Sequence, residues 1–162
     1  MSFSNQIREY IIAPSLRVDN LWSESAEILV YGTGMVESQY QYITQIGNPA
    51  DGGLGFWQME PSDYKDLCKW LNTPAQNGTK NNILACCYFV SMPVDPNVLI
   101  SNIKLASLLC RAHYLRCPAP LPSASSAQDF ANYHKTYYNT ALGAADADKN
   151  AEIFQEIIDG KL

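Results

Sequence analysis

The stretch SESAEILVYGTGMVES, residues 23–38, reads as one amphipathic helix that ends in a carboxylate. Ser23 is a fitting N-cap, and Glu24 and Glu27 place negative charge in the first turn, where the helix dipole favours it. Ala26, Leu29, Val30, Thr33 and Val36 recur at the 3.6-residue period and predict the buried face. Glu37 follows Thr33 by four positions and Leu29 by eight, so it continues that face. A carboxylate at the end of an apolar stripe is expected to lose water, which favours its protonated form and suits a general acid. For a Glu taken alone, the plainer reading is a helix-end carboxylate that turns to solvent or caps a neighbouring turn.

Outward from this helix, Pro and Gly cluster at residues 47–55, 73–78, 93–96 and 118–122 and cut the chain into helical pieces. The pattern predicts a first helix over residues 3–12, stopped before Pro14, and a third that starts at Pro61 with Tyr64, Leu67, Cys68 and Leu71 inward. Asn77-Gly78 reads as a turn. Further helices are expected over residues 81–92, 96–116, 127–139 and 146–158. The alternation of Tyr40, Tyr42 and Thr44 in QYQYITQ, residues 39–45, is the best candidate for a short extended segment. The expected architecture is mainly α, one domain over residues 1–162, with an irregular excursion after the Glu37 helix.

The chain has 162 residues, a length that can bury a core without metal or disulfide staples. Its net charge of −5 and scattered basic residues argue against nucleic acid and anionic membranes as partners. Five cysteines without a CxxC, and two histidines, make neither a disulfide framework nor a structural zinc site. The thiols are expected as small buried hydrophobes, and no metal or cofactor is expected. No apolar run approaches the roughly 20 residues that span a bilayer. The first residues, MSFSNQIREYIIAPSL, lack a signal-peptide core.

After Glu37-Ser38 and a long loop comes Gly52-Gly53-Leu54-Gly55-Phe56-Trp57-Gln58-Met59-Glu60-Pro61-Ser62. The glycines allow close backbone approach and unusual φ values. Gln58 offers both a donor and an acceptor, as sugar hydroxyls and N-acetyl groups require. Trp57 is read equally as a platform for a sugar ring or as a core anchor. Asp51, just before two glycines, is favoured as a turn former over a second catalytic carboxylate. Glu60 is read as the residue before a helix start.

This block, together with the Glu37-Ser38 pair, resembles the signature of the soluble lytic transglycosylases, in which a catalytic Glu-Ser is followed by Gly-Leu-Met-Gln-Ile-x-Pro-Ser. NIKLASLLCRAHYL, residues 102–115, resembles that family's helix ending in Tyr-Leu. ANYHKTYYNTALG, residues 131–143, resembles its later Ala-Tyr-Asn-Ala-Gly motif through Tyr138 and Asn139, although His134 and Lys135 stand where the family has small residues. The resemblance covers residues 23–143 and extends to small lysozyme-like proteins of phage genomes.

The resemblance implies a lysozyme-like fold and cleavage of the β-1,4 bond between N-acetylmuramic acid and N-acetylglucosamine in peptidoglycan. It implies Glu37 as acid and then base, with Ser38, Gly55, Gln58, Tyr138 and Asn139 as cleft residues. For Tyr138 and Asn139 the plainer reading is a helix C-terminus closed by Asn139 and Gly143, and Tyr114 reads as core. Both a transglycosylase and a muramidase outcome stay open, as does a non-catalytic glycan-binding or structural module of a virion. A monomer is expected, reaching the wall through a holin-type pore or in a virion.

Overall fold

The computed structural model describes residues 1–18, 20–48, 52–139 and 146–162. These residues are mainly helical. Helix α1 (Phe3–Ile7) runs through a π-helical turn (Arg8–Ile12) directly into α2 (Ala13–Val18). The expected stop before Pro14 is therefore corrected. Pro14 lacks an N–H, and its ring would strike the carbonyl four residues back. The wider turn, in which the Ala13 N–H donates to the Arg8 carbonyl, lets the chain pass the proline without ending the helix.

Helix α3 (Glu24–Ser38) starts where the sequence places it. The Ser23 side chain accepts from the Ala26 N–H at 3.0 Å, and the residues of the predicted inner face are buried except Val36, which is half-buried. The Glu27 side chain accepts from Arg8 Nε at 2.9 Å and Trp22 Nε1 at 2.7 Å, tying the π-helical turn and the segment before α3 to that helix.

Helix α4 (Pro61–Leu71) buries Tyr64, Leu67 and Leu71. Asn77-Gly78 is not a turn: both lie at the start of α5 (Asn77–Cys86), just after a short 3-10 turn at Pro74–Gln76. Helix α5 also ends earlier than the apolar run suggests. Tyr88 takes a left-handed φ of 60°, and the Phe89 N–H reaches back to the Leu84 carbonyl at 2.9 Å, the closure that normally uses glycine. The long helix expected over residues 96–116 is two, α6 (Val98–Ser101) and α7 (Ile103–Leu115). They part at Asn102, whose side chain accepts from the Leu105 N–H at 2.8 Å and caps α7 instead of continuing the first helix. Helices α8 (Ala127–Tyr137) and α9 (Ala147–Ile158) close the chain.

The core sits around α3, which packs against α7, α8 and α9, while α8 and α9 pair along their lengths. Phe130 of α8 stacks on Phe154 of α9 with centroids 5.4 Å apart. The Phe154 ring fills the space beside Gly32, where any Cβ would strike it. Gly32 therefore lets α9 lie close to α3. Among the described residues of the excursion over residues 39–60, Thr44 pairs with Leu54 and Leu54 with Met59 in isolated antiparallel bridges. The extended segment expected over residues 39–45 is confined to its end, because Gln39 and Tyr40 both adopt left-handed φ, 51° and 55°. Cys86, Cys87 and Cys110 are buried, and Cys68 and Cys117 are half-buried.

Replacing Phe154 with Ala empties the wedge between α3 and α8. Stability is expected to fall by about 3–5 kcal/mol. A denaturant titration that shows a loss under about 1 kcal/mol would mean that the wedge carries little of the core.

Candidate functional site

Three stretches far apart in sequence meet at the C-terminal end of α3. The first is the helix end. Ser38 is 1% exposed, and its hydroxyl serves several backbone groups at once. It accepts from the Tyr40 N–H at 3.1 Å and donates towards the Phe56 carbonyl at 2.7 Å and the Gly34 carbonyl at 3.2 Å. Since a hydroxyl has one hydrogen, the two carbonyls share it, and the shorter distance favours Phe56. The Tyr40 ring folds back over Gly34, its hydroxyl donating to the Tyr31 carbonyl at 3.1 Å, and a Cβ on Gly34 would collide with it. Tyr42 donates to the Glu37 carbonyl at 2.7 Å.

The second stretch is the Gly-rich loop. Trp57 is 1% exposed and donates to the Val30 carbonyl at 2.8 Å, so of its two readings the core anchor holds. Gly55 takes a φ of 68°, and its carbonyl accepts from both the backbone N–H and the side-chain amide of Gln58, at 3.1 and 2.7 Å. Gln58 itself has a left-handed φ of 46°. With Gln39 and Tyr40, three non-glycine residues adopt this costly conformation around one helix end, a pattern that gathers at functional sites. Leu54 pairs with Met59 across this tight loop, so its shape is set by the backbone.

The third stretch is the end of α8. His134 is fully buried, and its Nε2 lies 3.1 Å from Glu37 Oε1, whose side chain keeps 16% exposure. Tyr138 stacks on the His134 ring at 5.7 Å and donates its hydroxyl to the Trp57 carbonyl at 2.7 Å. The backbone N–H groups of Tyr138 and Asn139 both reach the His134 carbonyl, at 2.9 and 3.1 Å, which closes α8. Among the residues expected at the site, Glu37, Ser38, Gly55, Gln58, Tyr138 and Asn139 thus lie on one connected set of contacts. Ser38 is turned inward and binds the loop together. Asp51 and Gly143 lie outside the described residues.

The floor beneath Glu37 is aromatic and uncharged. Tyr114 shares a 2.8 Å hydrogen bond with Thr33 Oγ1 and packs against Tyr138. Burial first, then the neighbouring Cys110 and the Glu37 carboxylate, push the phenols of Tyr114 and Tyr138 well above the usual range. Burial does the same to the Cys110 thiol. None of these groups supplies a charge to oppose Glu37 near neutral pH.

His113 makes a useful contrast with His134. Its Nε2 lies 2.7 Å from the Tyr137 carbonyl and must donate, while Nδ1 accepts from Arg116 at 2.9 Å. Both nitrogens are satisfied in the neutral form, and burial depresses the pKa below the ordinary 6.5. Neither His134 nor Tyr42 stands out from the sequence as a site residue. His134 appeared only as an irregularity before the Tyr-Asn pair, although a polar side chain four residues before Tyr138, on the same helical face, was a usable signal.

Among the described residues no group of His, Cys, Asp and Glu is arranged to hold a metal ion, and no helix is long and apolar enough to cross a membrane. No protein family, curated protein or solved structure matches this chain.

Ser38→Ala strips partners from the Tyr40 N–H and the Phe56 carbonyl together. The expected cost is about 1–3 kcal/mol. An unchanged urea midpoint would show that the loop does not depend on this hydroxyl. For His113, the folded ring resists the proton that the unfolded chain accepts near pH 6.5. The unfolded state therefore binds more protons, and stability is expected to fall as pH drops from about 7 towards 5. Thermal melts of His113→Gln should show a shallower decline over that window, and an equal slope would exclude His113 as the cause.

Proposed function

We propose that this chain is a lysozyme-like, peptidoglycan-cleaving glycosidase with Glu37 as its general acid and then its base. The observation that carries this reading is the meeting of the three stretches at the helix end that bears Glu37. Glu37, the Gly55–Gln58 turn and the Tyr138-Asn139 helix end are tied to one another by the Ser38–Phe56, Tyr138–Trp57 and His134–Glu37 bonds. Such an arrangement follows readily if each stretch shapes the same cleft, and it needs a separate explanation for each if none does.

The chemistry asks for a carboxyl that is partly withdrawn from water yet open on one side. Glu37 is half-buried at a helix end, over the uncharged floor of Tyr114, Tyr138 and Cys110. In the proposed reaction Glu37 passes its proton to the oxygen between N-acetylmuramic acid and N-acetylglucosamine. That oxygen leaves with the electron pair of the broken C1–O bond, and positive charge develops at C1. The resulting carboxylate accepts a proton from the hydroxyl that captures C1. When that hydroxyl is the muramic acid's own C6 group, the product is an anhydro sugar; when it is water, the product has a reducing end. Delivery to the wall through a holin-type pore or in a virion belongs to the same proposal.

The test is mass spectrometry of the fragments released from purified peptidoglycan. Anhydro ends are expected from the wild type, and reducing ends would identify a hydrolase. Glu37→Gln should keep the helical circular dichroism and lose at least about 100-fold in rate. Wild-type release at an undiminished rate from that variant would remove Glu37 from the chemistry. Sedimentation with peptidoglycan without any release would leave a glycan-binding module.

A further inference from the structure

The His134 imidazole is the one side chain bonded to the Glu37 carboxyl among the described residues, at 3.1 Å between Nε2 and Oε1. Its ring is held on one face by Tyr138, 22° from parallel, and its residue is 0% exposed. Nδ1 has no hydrogen-bond partner among the described residues. These facts restrict where the ring's hydrogen sits. A carboxylate only accepts, and a carboxyl that donated to Nε2 would put the ring's own hydrogen on the buried, unpartnered Nδ1, so in either state of Glu37 the arrangement that leaves no donor unpaired has Nε2 donating to Oε1. A doubly protonated ring would leave a buried, charged N–H at Nδ1 without an acceptor. The C-terminal end of α8 favours a cation at this place, but that effect is weaker than the loss at a buried charged donor. The neutral ring with its hydrogen on Nε2 leaves only a bare lone pair at Nδ1.

We propose that His134 is a positioning residue for Glu37: its Nε2–H holds Oε1, so that Oε2 is the oxygen that exchanges protons in the cleft. The proposal rests on the glycosidase reading for its catalytic consequence. In the acid step, Glu37 Oε2–H gives its proton to the leaving oxygen, while Nε2–H stays on the ring. The bond to Oε1 strengthens as the carboxyl becomes a carboxylate, so His134 stabilises the charge that develops there. In the return step Oε2 takes the proton of the incoming hydroxyl. The imidazole begins and ends neutral and transfers nothing. Tyr138 cannot take this part with its hydroxyl, since that group donates to the Trp57 carbonyl; its ring supports the imidazole instead.

Two readouts test the proposal on the full chain. The first is nitrogen-15 NMR of protein labelled at its two histidines, with His134→Gln to assign the signals. Near neutral pH both rings should carry hydrogen on Nε2 only, and the His134 signals alone should move in Glu37→Gln. A His134 ring protonated on Nδ1, singly or doubly, overturns the proposal. The second is kinetic. His134→Phe keeps ring volume and removes the donor, and should lower kcat by roughly 100-fold with KM little changed, as misplacement of a catalytic group does. His134→Gln, whose amide can donate to Oε1, should recover part of that loss. An unchanged kcat in His134→Phe, or equal losses in both variants when both melt like wild type, sinks the positioning role. If His134→Phe does not fold, His134→Gln and the NMR decide. If the wild-type protein releases no glycan fragments, the glycosidase reading fails and the catalytic consequence fails with it; the NMR still decides separately whether His134 holds Glu37.

Discussion

The Ser38 hydroxyl sits where the end of α3, the turn after it and the Gly-rich loop come together. It stops the helix by accepting from Tyr40, and it grips the loop by donating to Phe56. Without such a contact, two consecutive left-handed residues, Gln39 and Tyr40, would each cost about 1–3 kcal/mol with little to hold them. The strain persists because the surroundings over-determine it. Tyr40 is pinned by its hydroxyl bond to Tyr31 and by ring contacts with Tyr31, Phe56 and Trp57. The outcome is that Glu37, one residue earlier, lies at a fixed edge between core and loop.

Packing then decides the electrical character of that edge. Helix α8 is pressed towards α3 by α9, with Phe154 filling the space that Gly32 leaves open. This brings His134 against Glu37 and Tyr138 against Trp57. The groups beneath the carboxyl are phenols and a thiol, which burial keeps neutral. A carboxyl in such a place interacts strongly with the few dipoles it meets, because little water screens them. One well-aimed N–H therefore matters more here than at an exposed helix end.

Much of the helical architecture was legible in the sequence. The 3.6-residue stripe of α3, its Ser23 cap, the Pro61 start of α4 and the span of α9 follow from local rules. The misread boundaries share a cause. Pro14, Asn77-Gly78, Tyr88 and Asn102 are places where the usual local meaning of a residue gives way to a neighbour's hydrogen bond or to the room that tertiary packing leaves. At the candidate site, helical phase singles out Glu37, and the resemblance singles out Gln58 and Tyr138; the structure brings their three stretches to one helix end. His134 is singled out by neither, since the value of a histidine depends on what stands opposite it, 97 positions away along the chain.

The sequence by itself determined that the chain is mainly helical, which face of α3 turns inward, and that a carboxylate ends that face. Those properties rest on spacing along one element, which a chain carries wherever it goes. The tertiary structure alone decided that Trp57 is an anchor, that Ser38 faces inward, and that an imidazole meets Glu37. Each of these depends on the distance between separate elements, and packing sets that distance only once the core has closed.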